Sequence, residues 1–406
     1  MPTTARRGNR NAYYSPDLVV ALEHVDEVTR TLHELGVELG DVERSPGLGL
    51  ALVALRDDRA AAAAVAAAAD AHQVEDTAAE PKSDMDRLLV GLRAHFARRN
   101  AGWVPTLGKN RLLGDVIGGG KISHGGALYP GATQERLPAR PPRPGRGVRV
   151  GVLDTSIAAH PWLAGGWVAS AEDVLGREGP SAVVAGHATF VAGLVLQQAP
   201  GSVVEVRQVL SDEDGTADSW TVANEIVELG RAGVDVLNLS LVCYTEDGQA
   251  PLALSAAVER LDPEIVVVAA AGNHGDMDEE VTGDRRKPAW PAALDHVVAV
   301  GAADRAGAPS AFTPPDVPWI DVLAPGVDVV STYLDGEVAL GEDAGTRTFE
   351  GFASWSGTSF AAASVSGAIA ARTRPGSVSA RAAWQQLQDS VTRPRAGGPG
   401  FLRLGG

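Results

Sequence analysis

Apolar residues run through this chain with two different periods, and the change of period divides it. Near the N-terminus, Leu18-Val19-Val20-Ala21-Leu22 is a short β-rich run. Val25, Val28, Leu32 and Leu35 then recur on one face of a helix, and Gly36 stands where it can cap that helix. Leu48–Leu55 reads as a second strand. The Ala-rich stretch over 60–69 predicts a helix with little to bury, too short for the roughly 20 residues of a membrane span. Ser83 starts a further helix, with Asp86 completing a variant of the capping box and Met85, Leu88, Leu92 and Phe96 on the inner face. Residues 1–100 therefore predict a small α/β region.

From Asn100 to Gly131 the chain is Gly-rich and irregular, and Pro138–Gly145 reads as a stiff, extended linker, so 101–145 is a connector. Beyond it the pattern alternates. Val148–Leu153, Val203–Val209, Val234–Leu241, Glu264–Ala270 and His296–Val300 are nearly continuous apolar runs, the signature of strands buried on both faces of a parallel sheet. Between two of them Val222, Ile226 and Leu229 mark an amphipathic helix closed by Gly233. Residues 146–392 thus form one layered α/β domain, with a last helix at about 380–390 and a Gly/Pro-rich tail over 393–406.

Composition narrows the class. The chain of 406 residues is 45% hydrophobic and 21% charged, with a formal net charge of -16. That balance argues against a nucleic-acid partner and is consistent with solubility or with basic substrates. Cys243 is the only cysteine, which excludes an intramolecular disulfide and fits a reducing compartment. The polar N-terminus has no apolar signal region, and Arg6-Arg7 is not followed by one, so the expected setting is cytoplasmic, without a membrane partner. Gly118-Gly119-Gly120-Lys121 suggests a phosphate loop, but Asp115 and Ile122 occupy positions that such a loop reserves for Gly and for Ser or Thr, leaving a surface loop.

The candidate chemistry centres on Gly357-Thr358-Ser359, which opens a run of small, helix-forming residues. A serine there is either an ordinary N-cap or a nucleophile among unpaired backbone N–H groups at the positive end of a helix. A serine nucleophile needs a base in reach, and the base needs an orienting partner. Gly186-His187 opens an apolar helix, Val148–Asp154 is a strand ending in a carboxylate, and Ala269–Asn273 is a strand ending in a side-chain amide. In a parallel sheet, strand C-termini and helix N-termini share one edge.

Those four motifs, in the order Asp, His, Asn, Ser, resemble the subtilases, the subtilisin-like serine peptidases, over about residues 146–375. The resemblance implies a parallel sheet flanked by helices and a serine endopeptidase acting on protein or peptide substrates. It implies Asp154, His187 and Ser359 as the catalytic triad, with Asn273 as oxyanion-hole donor. Ser240, Leu241 and Val242 would form one wall of the substrate cleft, and Ala270, Ala271 and Gly272 the other. Ala188, Phe190, Ala363 and Ser364 depart from the family's usual residues without removing a catalytic group. Val242 stands where the family commonly has Gly, which favours small P1 side chains; the acidic run 276–280 would instead favour basic ones. That run and Asp212-Glu213-Asp214-Gly215 are either calcium loops or solvated acidic loops, and the chemistry itself requires no cofactor. The competing readings are a peptide-binding pseudoprotease using the same cleft and an α/β-hydrolase esterase; Ala361 and the order of the triad set the second aside. The N-terminal region is expected to act in cis as folding aid or inhibitor, cleaved or retained, or to receive a regulatory protein partner.

Overall fold

Among the described residues, the parallel sheet that the apolar runs predict has eight strands. In spatial order these are Gly400–Phe401, Val322–Pro325, Val297–Ala303, Val266–Ala270, Val236–Leu239, Arg149–Asp154, Val203–Gln208 and Trp167–Val168. The computed structural model describes residues 14–69, 83–114, 129–140, 147–176, 180–245, 247–277, 284–341, 345–392 and 399–404. Within these the chain forms two units. The Gly118–Ser123 loop lies outside the described residues.

The first unit holds the described residues up to Leu112 together with Asp218–Val227 and Gln249–Arg260. Its strands Leu107–Leu113, Tyr14–Ala21, Leu50–Leu55 and Leu39–Ser45 pair in that order, antiparallel, with Ala217–Asp218 at the edge. Helices Val25–Glu34, Asp58–Ala69 and Asp84–Arg99 supply Val28, Leu32, Val65, Leu88, Leu92 and Phe96 to the core beneath. Ser83 caps its helix by accepting from the Asp86 amide. Two strands carry few apolar residues, Leu39–Ser45 and Leu107–Leu113, and the sequence pattern does not mark them. The second buries Lys109, Asn110 and Arg111, and their polar atoms find partners. Lys109 Nζ meets Asp86 Oδ1 at 2.5 Å. Burial works against the Asp86 charge, but Lys109 and Ser83 hold its pKa below the usual carboxylate value. Asn110 Oδ1 accepts from Ser219 Oγ at 2.9 Å and from Trp220 N at 3.0 Å, at the start of helix Ser219–Arg231.

The second unit contains the eight-stranded sheet, whose described pairings are all parallel. Val150, Val152, Val204, Val206, Val236, Val268 and Val300 line one face of it, and Leu153, Leu237, Leu239 and Val267 on the other face are buried as well. Chain order reverses on either side of Arg149–Asp154, so the carboxyl end of that strand is the point at which such sheets form sites. Two helices buried along nearly their whole length lie in this unit, His187–Gln198 and Thr358–Arg372. They approach closely because Gly367 has no side chain: a Cβ there would come 2.6 Å from the Val195 carbonyl oxygen and 3.0 Å from its Cα. Gly367→Ala is therefore expected to destabilise the protein by about 1–3 kcal/mol. The measurement is the urea midpoint, and an unchanged midpoint would contradict this close approach.

A second, smaller sheet in the same unit runs Gly131–Ala132, Thr346–Trp355, Val329–Ala339, Ser181–Ala182. Its first strand belongs to the stretch read as connector. Ala132 and Gly131 pair with Ala353 and Ser354, Arg347 donates to the Pro130 carbonyl at 2.8 Å, and Arg136 pairs with Glu350.

Candidate active site

Each candidate side chain sits at the end of an element that its local sequence specifies. Asp154 is the last residue of its strand, and His187 opens its helix; both are fully buried. His187 Nδ1 lies 2.8 Å from each carboxylate oxygen of Asp154. Asp154 Oδ1 also accepts from the Thr155 amide at 2.7 Å, and Thr155 Oγ1 accepts from the Ala188 amide at 3.2 Å, so strand end and helix start are tied together. The imidazole is walled by Trp355, edge to face at 5.8 Å, and by Phe360 at 5.5 Å. A carboxylate facing Nδ1 fixes the proton on that nitrogen and leaves Nε2 as the basic one. Nε2 is buried and has no hydrogen-bond partner.

Ser359 lies in the first turn of its helix and is 3% exposed. Its hydroxyl donates to the Ser240 carbonyl at 3.3 Å, and Ser240 Oγ donates to the Ser359 carbonyl at 2.9 Å. Asn238 Nδ2 donates in turn to Ser240 Oγ, and Ser366 Oγ to Asn238 Oδ1, both at 2.9 Å. This buried chain of satisfied polar groups locks the strand Val236–Leu239 to the serine helix. The structure thus joins Asp154 to His187 and Ser359 to Ser240, and draws no hydrogen bond between Ser359 and His187. Such contacts often close only in the complex with substrate.

Asn273 follows Gly272, which has a φ of 87° that suits glycine. Its Oδ1 accepts from the Thr358 amide and from Thr358 Oγ1, both at 3.0 Å. Thr358 Oγ1 also accepts from the Gly272 amide at 3.1 Å. With Oδ1 occupied, the side-chain donor Nδ2 faces the serine turn, 3.8 Å from where a Cβ on Gly357 would stand. Thr358 was not singled out in the sequence, although its place directly before Ser359 was the available signal.

Leu241, Val242, Ala270 and Ala271 are buried, and Ala271 N donates to the Val300 carbonyl at 2.9 Å. The Val242 carbonyl accepts from the Gly114 amide at 3.2 Å. Asp212 spends its carboxylate on the Ser156 amide and Gln208 Nε2, and Asp214 accepts from Thr216. Burial raises the Asp276 pKa, while Asp278, Glu279 and Glu280 lie outside the described residues. Among the described residues no group of three or more His, Cys, Asp or Glu could hold a metal ion, and no helix is long and apolar enough to cross a membrane.

A model of the subtilase family matches residues 145–396. Mycosin-4 of Mycobacterium tuberculosis is 32% identical over 293 residues, which cover 62% of this chain and 62% of that protein. The major intracellular serine protease of Bacillus subtilis is 29% identical over 239 residues, covering 56% of this chain and 68% of that one. The match with Mycosin-4 therefore spans about three-fifths of that protein's length. Among solved structures, fervidolysin from Fervidobacterium pennivorans, a keratinolytic enzyme related to subtilisin, superposes with a TM-score of 0.62. It covers 98% of this chain and 61% of its own at 17% identity, a likeness of fold alone. The protease domain of PatA aligns at 26% identity with a TM-score of 0.50, covering 64% of this chain and 94% of that domain.

Proposed function

The chain belongs to the subtilase family of subtilisin-like serine peptidases, and from that membership we propose that it is a serine endopeptidase working through an acyl-enzyme. The observation that carries the reading is His187, held at Nδ1 by both oxygens of Asp154 and bare at Nε2. Ser359 Oγ adds to the scissile carbonyl carbon as its proton passes to His187 Nε2. Asp154 stabilises the imidazolium that forms. The oxyanion accepts from the Ser359 amide and from Asn273 Nδ2. Collapse breaks the C–N bond, His187 returns the proton to the leaving amine, and water repeats the sequence to free the acid. Ser240–Val242 and Ala270–Gly272 form the walls between which the substrate backbone lies as an added strand. A fluorophosphonate probe tests the reading. Covalent labelling at Ser359 is expected; peptide binding without labelling would make the chain a binding module instead.

The N-terminal region regulates this site in cis. In support, within the second unit the Gly114 amide donates to the Val242 carbonyl, in the segment assigned to the substrate. Gly114→Pro removes that donor and is expected to raise basal turnover of a short peptide substrate several-fold. Unchanged turnover would remove the support for regulation from this contact. The catalytic domain is taken to include residues 129–140, given their hydrogen bonds to Thr346–Trp355. A cytoplasmic setting is supported by the single, buried Cys243 and by the B. subtilis relative being named intracellular. Recovery of the protein in a secreted fraction would count against it.

A further inference from the structure

Asn273 rides on the turn Gly272–Gly275, and that turn is gripped from two sides. On one side Thr358 holds the Gly272 amide and the Asn273 carbonyl oxygen of the side chain. On the other stands Tyr244. Its hydroxyl shares a hydrogen bond of 2.8 Å with His274 Nδ1, and the two rings meet edge to face at 4.7 Å. The same hydroxyl lies 2.5 Å from where a Cβ on Gly272 would stand, so it rests against the residue preceding Asn273. The Tyr244 ring is itself fixed on its face, where Lys287 Nζ sits 4.6 Å from the centroid.

His274 is 1% exposed, and its Nε2 has no hydrogen-bond partner. Burial, reinforced by Lys287, lowers its pKa to about 4, which keeps the ring neutral at neutral pH. The Tyr244 hydroxyl is thus a side-chain hydrogen-bond partner of a buried, neutral ring immediately after the oxyanion-hole residue. The Gly275 amide closes the turn by donating to the Phe312 carbonyl at 2.8 Å.

We propose that Tyr244 is a positioning residue for the oxyanion hole: through His274 it fixes the turn that aims Asn273 Nδ2 at the developing charge. This rests on the peptidase reading. Electrostatic stabilisation of a transition state depends on donors held before the charge appears, so slack in the turn costs turnover rather than binding.

The variant is Tyr244→Phe in the full chain, which keeps the ring and its place under Lys287 and removes only the hydroxyl. Turnover of an amide substrate is expected to fall about ten-fold with KM unchanged, short of the loss from deleting the donor itself. In an Asn273→Ala background the same substitution is expected to change turnover less than about two-fold, because the group it positions is gone. His274→Asn keeps a polar atom near the Nδ1 position and is expected to be at least about five-fold more active than His274→Leu. Wild-type turnover in Tyr244→Phe, an effect confined to KM, or an undiminished loss in the Asn273→Ala background would overturn the proposal. A readout independent of activity is amide hydrogen exchange in the Ser359→Ala protein. Gly272 and Gly275 are expected to exchange faster when Tyr244 is Phe, and unchanged exchange there also overturns it. A wild-type protein without turnover or probe labelling would count against the peptidase reading, while the exchange result still decides the role of Tyr244.

Discussion

Ser359→Ala is expected to lower turnover about 10⁶-fold, the scale of loss seen in subtilisin itself, while leaving peptide binding intact. The hydroxyl is the only atom lost, and Ser359 is buried at the start of a helix whose backbone hydrogen bonds do not depend on it. What disappears is the acyl-enzyme route. His187→Ala is expected to cost about as much, because Oγ without a base is a neutral alcohol. The two losses should not add: a double variant should be no slower than either single one by more than a few-fold, since both remove the same step. Residual turnover of about 10³–10⁴ over the uncatalysed rate should persist from the oxyanion hole and binding alone. Single-turnover kinetics on a chromogenic peptide measures each quantity. Retention of even a hundredth of wild-type turnover in Ser359→Ala would assign the nucleophile elsewhere.

Asn273→Ala is expected to reduce turnover about 10²–10³-fold with little change in KM, because the lost donor serves an oxygen that becomes charged only in the transition state. The structure adds a complication that a second variant resolves. Asn273 Oδ1 also holds the Thr358 amide and hydroxyl, so alanine removes an anchor of the serine helix as well as a donor. Asn273→Asp keeps an oxygen for Thr358 to bond and removes the donor, replacing it with negative charge that repels the oxyanion. If donation is the role, the Asp variant should be at least as slow as the Ala variant while losing less stability. If anchoring is the role, Asp should recover most of the activity. Paired kcat measurements and urea midpoints on the two variants distinguish these outcomes.

Much of this was legible along the chain. The five β-branched runs became the central strands of the parallel sheet, because a strand buried on both faces must be apolar at every position, and that leaves a local mark. The helix over Thr358–Arg372 and the cap at Ser83 follow from residues within a few positions of each other. Asp154 at a strand end, and His187 and Ser359 at helix starts, follow in the same way. The strands Leu39–Ser45 and Leu107–Leu113 were not legible. Lys109, Asn110 and Arg111 carry no local sign of burial, because their burial depends on partners distant in the chain, such as Asp86 and Ser219. The stretch around Gly131 read as connector for the same reason: a two-residue strand has no period of its own, and its place beside Ser354 comes from backbone hydrogen bonds.

The division within the site has the same physical origin. By itself the sequence determined which groups could do chemistry, since a nucleophile, a base, a carboxylate and an amide are properties of side chains and of the element ends that carry them. Only the tertiary structure decided how those groups are held. It turned Ser359 toward Ser240, left His187 Nε2 bare, engaged Asn273 Oδ1 with Thr358 and set Tyr244 against His274. The three contacts among these join residues 30 or more positions apart. Hydrogen-bond geometry acts over a few ångströms, and no local periodicity records which distant atom will arrive within that range.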